Sequence, residues 1–386
     1  MESSNTNSRD SRLVLIVAGE ASADLHGSNL VFAIKSLDPN IVFWGIGGEK
    51  MRKAGVKMLA SSSDMAVVGL TEIFGKLRFI LQAAKKIKSI LKNERPDLLI
   101  LIDYPDFNIH IAGAAKRHKV PVLYYISPQI WAWRRGRIKK IGNRVDRMAV
   151  ILPFEKDFYQ NSPLKVDYVG HPLLDAFMQE QGTVIADFGM DQGHPVIGLL
   201  PGSRKEEIKN LLPDMVGAAG ILSQQYPQIR CLLPLAPGIE PEFVHPFIEH
   251  STARISLFRG GDIYNLLSVC DVAMVTSGTA TLEVAIMGVP MVIAYRMSPL
   301  SFRVARFFVR VPFIGLVNLV GGERIAPELI QDQVTPERLA HETVAILEDK
   351  ALRTAMINKL SLVRDRLGKG GASLRTAQIA IAMMEE

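Results

Sequence analysis

Cysteine is almost missing from this chain: its 386 residues include only Cys231 and Cys270. The two make no CxxC pair and no metal-ligand spacing, which excludes a disulfide framework and fits a reducing cytoplasm. Long apolar runs are missing as well, since none approaches the ~18 residues that a membrane-spanning helix needs. Met1 to Asp10 is polar and has no apolar h-region, so residues 1–10 read as a disordered tail rather than a signal peptide. The eight histidines form no HExxH or other close cluster, and no metal site is indicated. A Walker loop and a GxSxG elbow are also lacking, which leaves phosphoryl and acyl transfer without support.

What is present describes a soluble globular protein, 48% hydrophobic and 22% charged, long enough for about two or three domains. The net charge of +6 and a pI near 9.2 favour an anionic partner. Nucleic acid, an anionic membrane surface and a phosphorylated substrate all qualify.

Strands and helices alternate throughout. Leu13 to Ala18, Ile41 to Ile46, Asp97 to Asp103, Val120 to Ile126 and Asp146 to Leu152 read as strands. The alternation loosens after Gly170-His171-Pro172 and restarts with Pro195 to Leu200, Gln228 to Pro234, Arg254 to Phe258, Asp271 to Val275 and Pro290 to Tyr295. Continuous apolar strands argue for parallel sheets covered on both faces. The expected fold class is therefore α/β, with two Rossmann-like domains at residues 11–178 and 195–366. A linker is expected at 179–194, and a last helix at 367–386 is set off by Gly368-Lys-Gly-Gly371.

Ligands of such sheets lie at the C-terminal ends of strands. Met274-Val-Thr-Ser-Gly-Thr-Ala-Thr-Leu-Glu283 runs from a strand through a tight turn into a helix. Ser277, Gly278 and Thr279 would offer backbone N–H groups to a phosphate, and Glu283 a carboxylate to ribose hydroxyls. Pro201-Gly-Ser-Arg204 is a similar turn in the same half: Gly202 allows close approach, Ser203 is a donor, and Arg204 can pair with a phosphate. Arg204 could instead pair with Glu206 or Glu207.

In the first half Asp103 ends the run Leu98-Leu-Ile-Leu-Ile102, where a carboxylate could accept a proton from a substrate hydroxyl. Asp106 reads as a helix cap. Gly19-Glu-Ala-Ser-Ala-Asp24 follows the first strand without a GxGxxG spacing, and Asp24 reads as a cap of the next helix. Glu20 there would repel a pyrophosphate, so the loop belongs to an acceptor side. Thr71 to Arg95 is apolar on one face and strongly basic, behind the apolar loop Met65-Ala-Val-Val-Gly-Leu70; Phe302 to Phe313 is a second such stretch. Each is either a membrane-surface element or a core helix with a solvated basic face. Trp131-Ala-Trp133 before Arg134, Arg135 and Arg137 could bind nucleic acid, yet no nucleic-acid signature accompanies it.

In this order, the segments resemble the lipid-A-disaccharide synthase family from about Leu13 to Ala380. The likeness rests on Val17-Ala-Gly-Glu-Ala-Ser22, Asp103 with Pro105-Asp-Phe-Asn108, Tyr125-Ile-Ser-Pro128 with Trp131-Ala-Trp133, and Leu152-Pro-Phe-Glu155. It continues through Gly170-His-Pro172, Leu200-Pro-Gly-Ser-Arg204, Thr276 to Glu283, Pro290-Met-Val, Tyr295-Arg-Met297 and Asn318-Leu. Ala23 stands where the family usually has glycine, and a reshaped first loop would follow if a positive φ were needed there.

The resemblance implies a GT-B fold, its two sheets facing a central cleft, with UDP in the second domain and the lipid acceptor against the first. It implies inverting transfer of 2,3-diacylglucosamine from UDP-2,3-diacylglucosamine to the 6-hydroxyl of 2,3-diacylglucosamine 1-phosphate, without metal or cofactor. Asp103 would be the base, with Glu20 as its competitor, and Arg204 would meet the leaving diphosphate. UDP would touch Gly202, Ser203, Arg204, Ser277, Gly278, Thr279, Glu283 and Asn318. Ser22, Met65, Val68, Leu70, Phe74 and Trp133 would line the acceptor side. The implied setting is the cytoplasmic face of the inner membrane of a Gram-negative cell, with peripheral attachment, possible homodimer formation and no nucleic-acid partner. Another UDP-sugar enzyme, such as an N-acetylglucosaminyltransferase or 2-epimerase, and a non-catalytic UDP-sugar or anionic-lipid binding module are the alternatives.

Overall fold

A computed structural model describes residues 11–61, 72–133, 135–180, 193–259, 263–309 and 311–386. Residues 1–10, and Met65, Val68 and Leu70 of the apolar loop, lie outside that set. The described chain divides into two compact units: one runs to Asp175 and adds Lys369–Glu386, the other spans Ala176–Gly368. The boundary therefore falls inside the helix Leu173–Glu180, ahead of the expected linker, of which 181–192 is undescribed.

The first unit holds a parallel sheet of β1 (Leu13–Ala18), β2 (Val42–Gly47), β3 (Val56–Ser61), β4 (Leu98–Ile102), β5 (Val122–Tyr125), β6 (Arg147–Val150) and β7 (Lys165–Tyr168), in the order 3-2-1-4-5-6-7. The second holds β8 (Val196–Leu200), β9 (Arg230–Leu235), β10 (Arg254–Arg259), β11 (Val272–Thr276), β12 (Met291–Tyr295) and β13 (Glu328–Ile330), in the order 10-9-8-11-12-13. Both are doubly wound, and the strand order reverses between β1 and β4 and between β8 and β11. Those reversals open the crevices in which such sheets bind ligands.

Strands buried on both faces explain the unbroken apolar runs. In β1 and β4, Leu15, Val17, Leu99 and Leu101 pack against the helices Glu72–Asn93 and Pro105–Arg117. Their alternate neighbours Val14, Ile16, Leu98 and Ile100 pack against Ala21–Leu37 and the final helix Ala372–Glu385. Each such side chain contributes about 1.5–3 kcal/mol relative to exposure. The final helix belongs to the first unit because Ala377, Ile379, Ala380 and Met383 join that core. Its first turn is capped across the chain by Asp175, whose carboxylate accepts from the N–H groups of Gly371, Ala372 and Ser373. No described helix is long and apolar enough to cross a membrane.

Two local expectations change. Ala23 lies within the helix Ala21–Leu37 and is buried, so its methyl packs in the core and no positive φ is demanded of it. Asp24 does not cap its own helix. Its carboxylate reaches the start of the helix Glu49–Lys53, accepting from Gly48 N at 2.6 Å, Lys50 N at 3.0 Å and Met51 N at 3.1 Å.

Candidate active site

The loop after β4 has unusual backbone. Asp103 and Tyr104 are both left-handed, with φ of 47° and 46°, a conformation that costs a non-glycine residue on the order of 1–3 kcal/mol. Buried donors hold it in place. The Asp103 carbonyl accepts from Tyr124 Oη at 2.5 Å and Asn108 Nδ2 at 2.7 Å, while Asn108 Nδ2 also reaches the Ile102 carbonyl at 3.1 Å. Asn108 and Tyr124 are fully buried. This gives the Pro105-Asp-Phe-Asn108 segment its physical meaning: the asparagine fastens the turn that presents Asp103.

The loop after β1 touches the same turn. A Cβ on Gly19 would stand 2.4 Å from Cγ of Tyr104, so only glycine lets that ring lie against the loop. Burial, followed by the negative charges of Glu20 and Asp106, raises the Tyr104 pKa. Glu20 and Asp103 thus flank the reversal point of the first sheet. Ser22 is exposed at the start of the helix Ala21–Leu37. Asp106 is not a cap; it sits in the first turn of Pro105–Arg117 and pairs with Arg137 at 2.5 Å.

The aromatic segment after β5 divides by role. Trp131 is buried, donates Nε1–H to Glu155 Oε1 at 3.1 Å and meets Phe154 edge-on at 4.9 Å. Glu155 also accepts from Leu152 N at 3.0 Å and Ile151 N at 3.2 Å. Burial pushes its carboxyl up to about 7, and these three donors pull against that rise. Trp133, by contrast, is 46% exposed. Phe74 lies in the helix Glu72–Asn93, and its side chain is outside the described set. Further along that helix Phe79 and Leu81 are exposed beside Arg78 and Lys85.

In the second unit the turns after β8 and β11 flank the other reversal. Gly202 has φ +122°, and a Cβ there would collide with the Glu207 carboxylate at 2.4 Å. That carboxylate accepts from Ser203 N at 3.1 Å and Arg204 N at 3.3 Å, and pairs with the Arg204 guanidinium at 3.2 Å. The helix Lys205–Gln225 therefore begins with half of a capping box, and the arginine takes the second of the two partners read from the sequence. Donors suited to an anion are gathered here, with a side-chain carboxylate already on them.

The turn after β11 is more open. Gly278 has φ +141° and nothing within 4 Å of an added Cβ. Ser277 contributes less than its position suggested, because its N–H goes to the Ala294 carbonyl at 3.1 Å and its hydroxyl to the Ile314 carbonyl at 2.9 Å. Gly278 and Thr279 are left to face a ligand. Among the described residues no hydrogen-bond or ion-pair partner meets the Glu283 carboxylate, which burial raises to about 6.

Asn318 departs from its expected place at the donor. It is fully buried, and its amide is saturated: Nδ2 donates to Ala326 O and Glu328 Oε1, both at 2.9 Å, and Oδ1 accepts from Ile325 N at 2.8 Å and Ala326 N at 3.0 Å. Glu328 in turn accepts from Ile314 N at 3.0 Å and Gly315 N at 2.9 Å. Asn318 therefore holds the segment whose Ile314 carbonyl anchors Ser277, and acts on the turn at one remove. Sequence reasoning passed over Tyr124, because an interior tyrosine carries no local signal of such a role.

Comparison with known proteins agrees with this layout. The model of the lipid-A-disaccharide synthetase family matches residues 14–381. Lipid-A-disaccharide synthase of Geobacter sulfurreducens is 46% identical over 376 residues, covering 97% of this chain and 98% of the relative. That of Geobacter metallireducens is 48% identical over 373 residues, covering 96% and 97%. Among solved structures, UDP-GlcNAc 2-epimerase from Neisseria meningitidis bound to UDP-GlcNAc aligns with a TM-score of 0.66 at 13% identity, over 96% of this chain and 100% of that one. The calicheamicin glycosyltransferase CalG4 aligns at 0.63 and 14% identity, over 98% and 99%. These two likenesses describe the fold, the paired α/β units of GT-B enzymes. With two loops set on each sheet's reversal point and a match along nearly its whole length, the chain belongs to the lipid-A-disaccharide synthase family.

Proposed function

We propose that this chain joins two acylated glucosamine units, taking 2,3-diacylglucosamine from its UDP ester and passing it to the 6-hydroxyl of 2,3-diacylglucosamine 1-phosphate. Asp103 takes the hydroxyl proton as the oxygen attacks the anomeric carbon from the face opposite UDP. The new C–O bond forms while the bond to the diphosphate breaks, giving the inverted β(1→6) disaccharide 1-phosphate and UDP. The observation that carries this reading is the clamped left-handed turn at Asp103, where backbone strain is held by two buried donors. Strain of that kind suits a carboxylate that must keep one direction. Glu20, on the loop packed against Tyr104, is the alternative base.

The leaving diphosphate is met by the N–H groups of Gly278 and Thr279 and by the Gly202-Ser203-Arg204 turn. Binding at the second turn requires Glu207 to release its donors, an exchange of one anion for another. Glu283 receives the ribose hydroxyls, and the lack of a hydrogen-bond or ion-pair partner for its carboxylate among the described residues supports that role. Asn318 supports the donor side through Ile314 and Ser277. No metal or cofactor enters the reaction. The basic helix Glu72–Asn93, with Phe79 and Leu81 exposed on it, lies against the cytoplasmic face of the inner membrane, where acylated substrates reside. The second basic stretch, around Arg303 and Arg306, shares that attachment, and the active form is a homodimer.

The test is UDP release from the acylated donor, with and without acylated glucosamine 1-phosphate. Release that depends on the acceptor supports the transfer; epimerisation or hydrolysis with donor alone supports another UDP-sugar enzyme. Asp103→Asn should cut kcat by at least a hundredfold, in the range of general-base catalysis, with UDP affinity kept. Near-normal turnover would pass the base to Glu20.

A further inference from the structure

Asp103 deals with one end of the acceptor sugar; nothing above reads the phosphate at the other. The arginine beside that loop is free of any role in the transfer so far described. Arg137 comes from the short 3-10 turn Arg135–Arg137 that follows β5, and crosses to Asp106 in the first turn of the helix after β4. β4 and β5 are adjacent and parallel, so both segments rise from the same end of the sheet. Asp106 lies three residues past Asp103, in the first turn of the helix Pro105–Arg117. In the acceptor the anomeric phosphate on C1 and the 6-hydroxyl carried from C5 flank the ring oxygen, so an anion site close beside Asp103 suits the phosphate.

The charge pattern fits an anion at this place. Asp106 is 74% exposed and Arg137 26% exposed, and a pair so open to water adds little to the fold. Its effect is to aim the guanidinium. Only Nη2 is engaged with Asp106; among the described residues Nε and Nη1 have no hydrogen-bond partner, so the fork keeps donors for a second anion. A phosphate monoester carries about −1.5 to −2 charges near neutrality and outweighs one carboxylate. Lys139 and Lys140 follow directly on the helix Ile138–Gly142. One turn beyond Asp106, burial and then the cations Lys88, Arg144, Arg117 and Lys140 lower the His110 pKa, an independent sign of positive potential around this helix.

We infer that Arg137, aimed by Asp106, binds the phosphate of the acceptor and makes the enzyme prefer a phosphorylated acceptor to its dephosphorylated form. The inference rests on Asp103 receiving the acceptor hydroxyl, and the two can fail separately.

The experiment measures kcat/KM for UDP release with the acylated glucosamine 1-phosphate and with the same compound lacking the phosphate, in wild type, Arg137→Gln and Arg137→Lys, with thermal melts of all three. Where turnover of the dephosphorylated compound is too slow to follow, the ratio of equilibrium dissociation constants of the two acceptors is measured in its place. Loss of a charged hydrogen-bond donor should lower the phosphorylated-to-dephosphorylated ratio by about ten- to a hundredfold in the glutamine variant, with partial recovery in the lysine variant. An unchanged ratio, whether both rates fall together or neither moves, overturns the inference, as does a lysine variant no better than glutamine. Absence of acceptor-dependent release in the wild type would instead overturn the proposed transfer.

Discussion

Asn318 offers the sharpest test of how the donor turn is held. Asn318→Ala removes a fully buried amide with all four of its hydrogen bonds, to Ala326 O, Glu328 Oε1, Ile325 N and Ala326 N. Three neutral bonds at a net ~1 kcal/mol each and one to a carboxylate at ~1.5–3 kcal/mol give a loss of about 4–6 kcal/mol. That is a large share of the ordinary 5–15 kcal/mol stability of a domain. At about 2–4 °C per kcal/mol for a unit of this size, the second unit should melt roughly 10–20 °C lower. Asn318→Asp should be at least as harmful, since an oxygen would replace the donor that faces Glu328 and the Ala326 carbonyl. Calorimetric melting and UDP titration below the transition check this together. A variant within 1 kcal/mol of wild type that has lost tenfold or more in UDP affinity would refute the reasoning, because the amide would then be touching the nucleotide.

Gly19→Ala should force the Tyr104 ring off the first loop, since the added Cβ falls 2.4 Å from Cγ. An overpacking cost of about 1–3 kcal/mol is expected, with a drop in kcat that exceeds any change in donor KM; a variant with full turnover would show that the contact is dispensable. For Glu155 the folded pKa of about 7 lies above the usual 4.5, so its contribution is fully present below pH 4.5 and is lost as pH rises to 7. The stability of Glu155→Gln relative to wild type should therefore improve across that window, by at most about 1.4 kcal/mol per pH unit. Denaturant titrations at several pH values would expose a flat difference, which would mean that the three N–H donors cancel the effect of burial.

Much of the fold was legible because it is written in local pattern. Ten strands follow from apolar runs, and β1 has the expected bounds. The three strands that escaped notice, β3, β7 and β13, are all sheet edges, where one side lacks a neighbour and the sequence need not be uniformly apolar. The strand-end loops were legible too, since small residues and isolated carboxylates interrupt the pattern there. Partners were not. Asp24 has the look of a cap for its own helix and serves another; Asn318 has the look of a ligand contact and serves a loop.

By itself, then, the sequence determined the family, the two α/β halves and the strand ends at which chemistry must sit. Each depends on residue type and spacing along the chain. Tertiary structure alone decided that Glu207 already occupies the Ser203 and Arg204 donors, that Tyr124 and Asn108 clamp Asp103, and that Asp106 aims Arg137. Such pairings join side chains whose meeting depends on sheet order and on the direction of each loop. Short-range pattern carries no record of either, because a buried hydrogen bond is specified by where two segments cross and not by what precedes each of them in sequence.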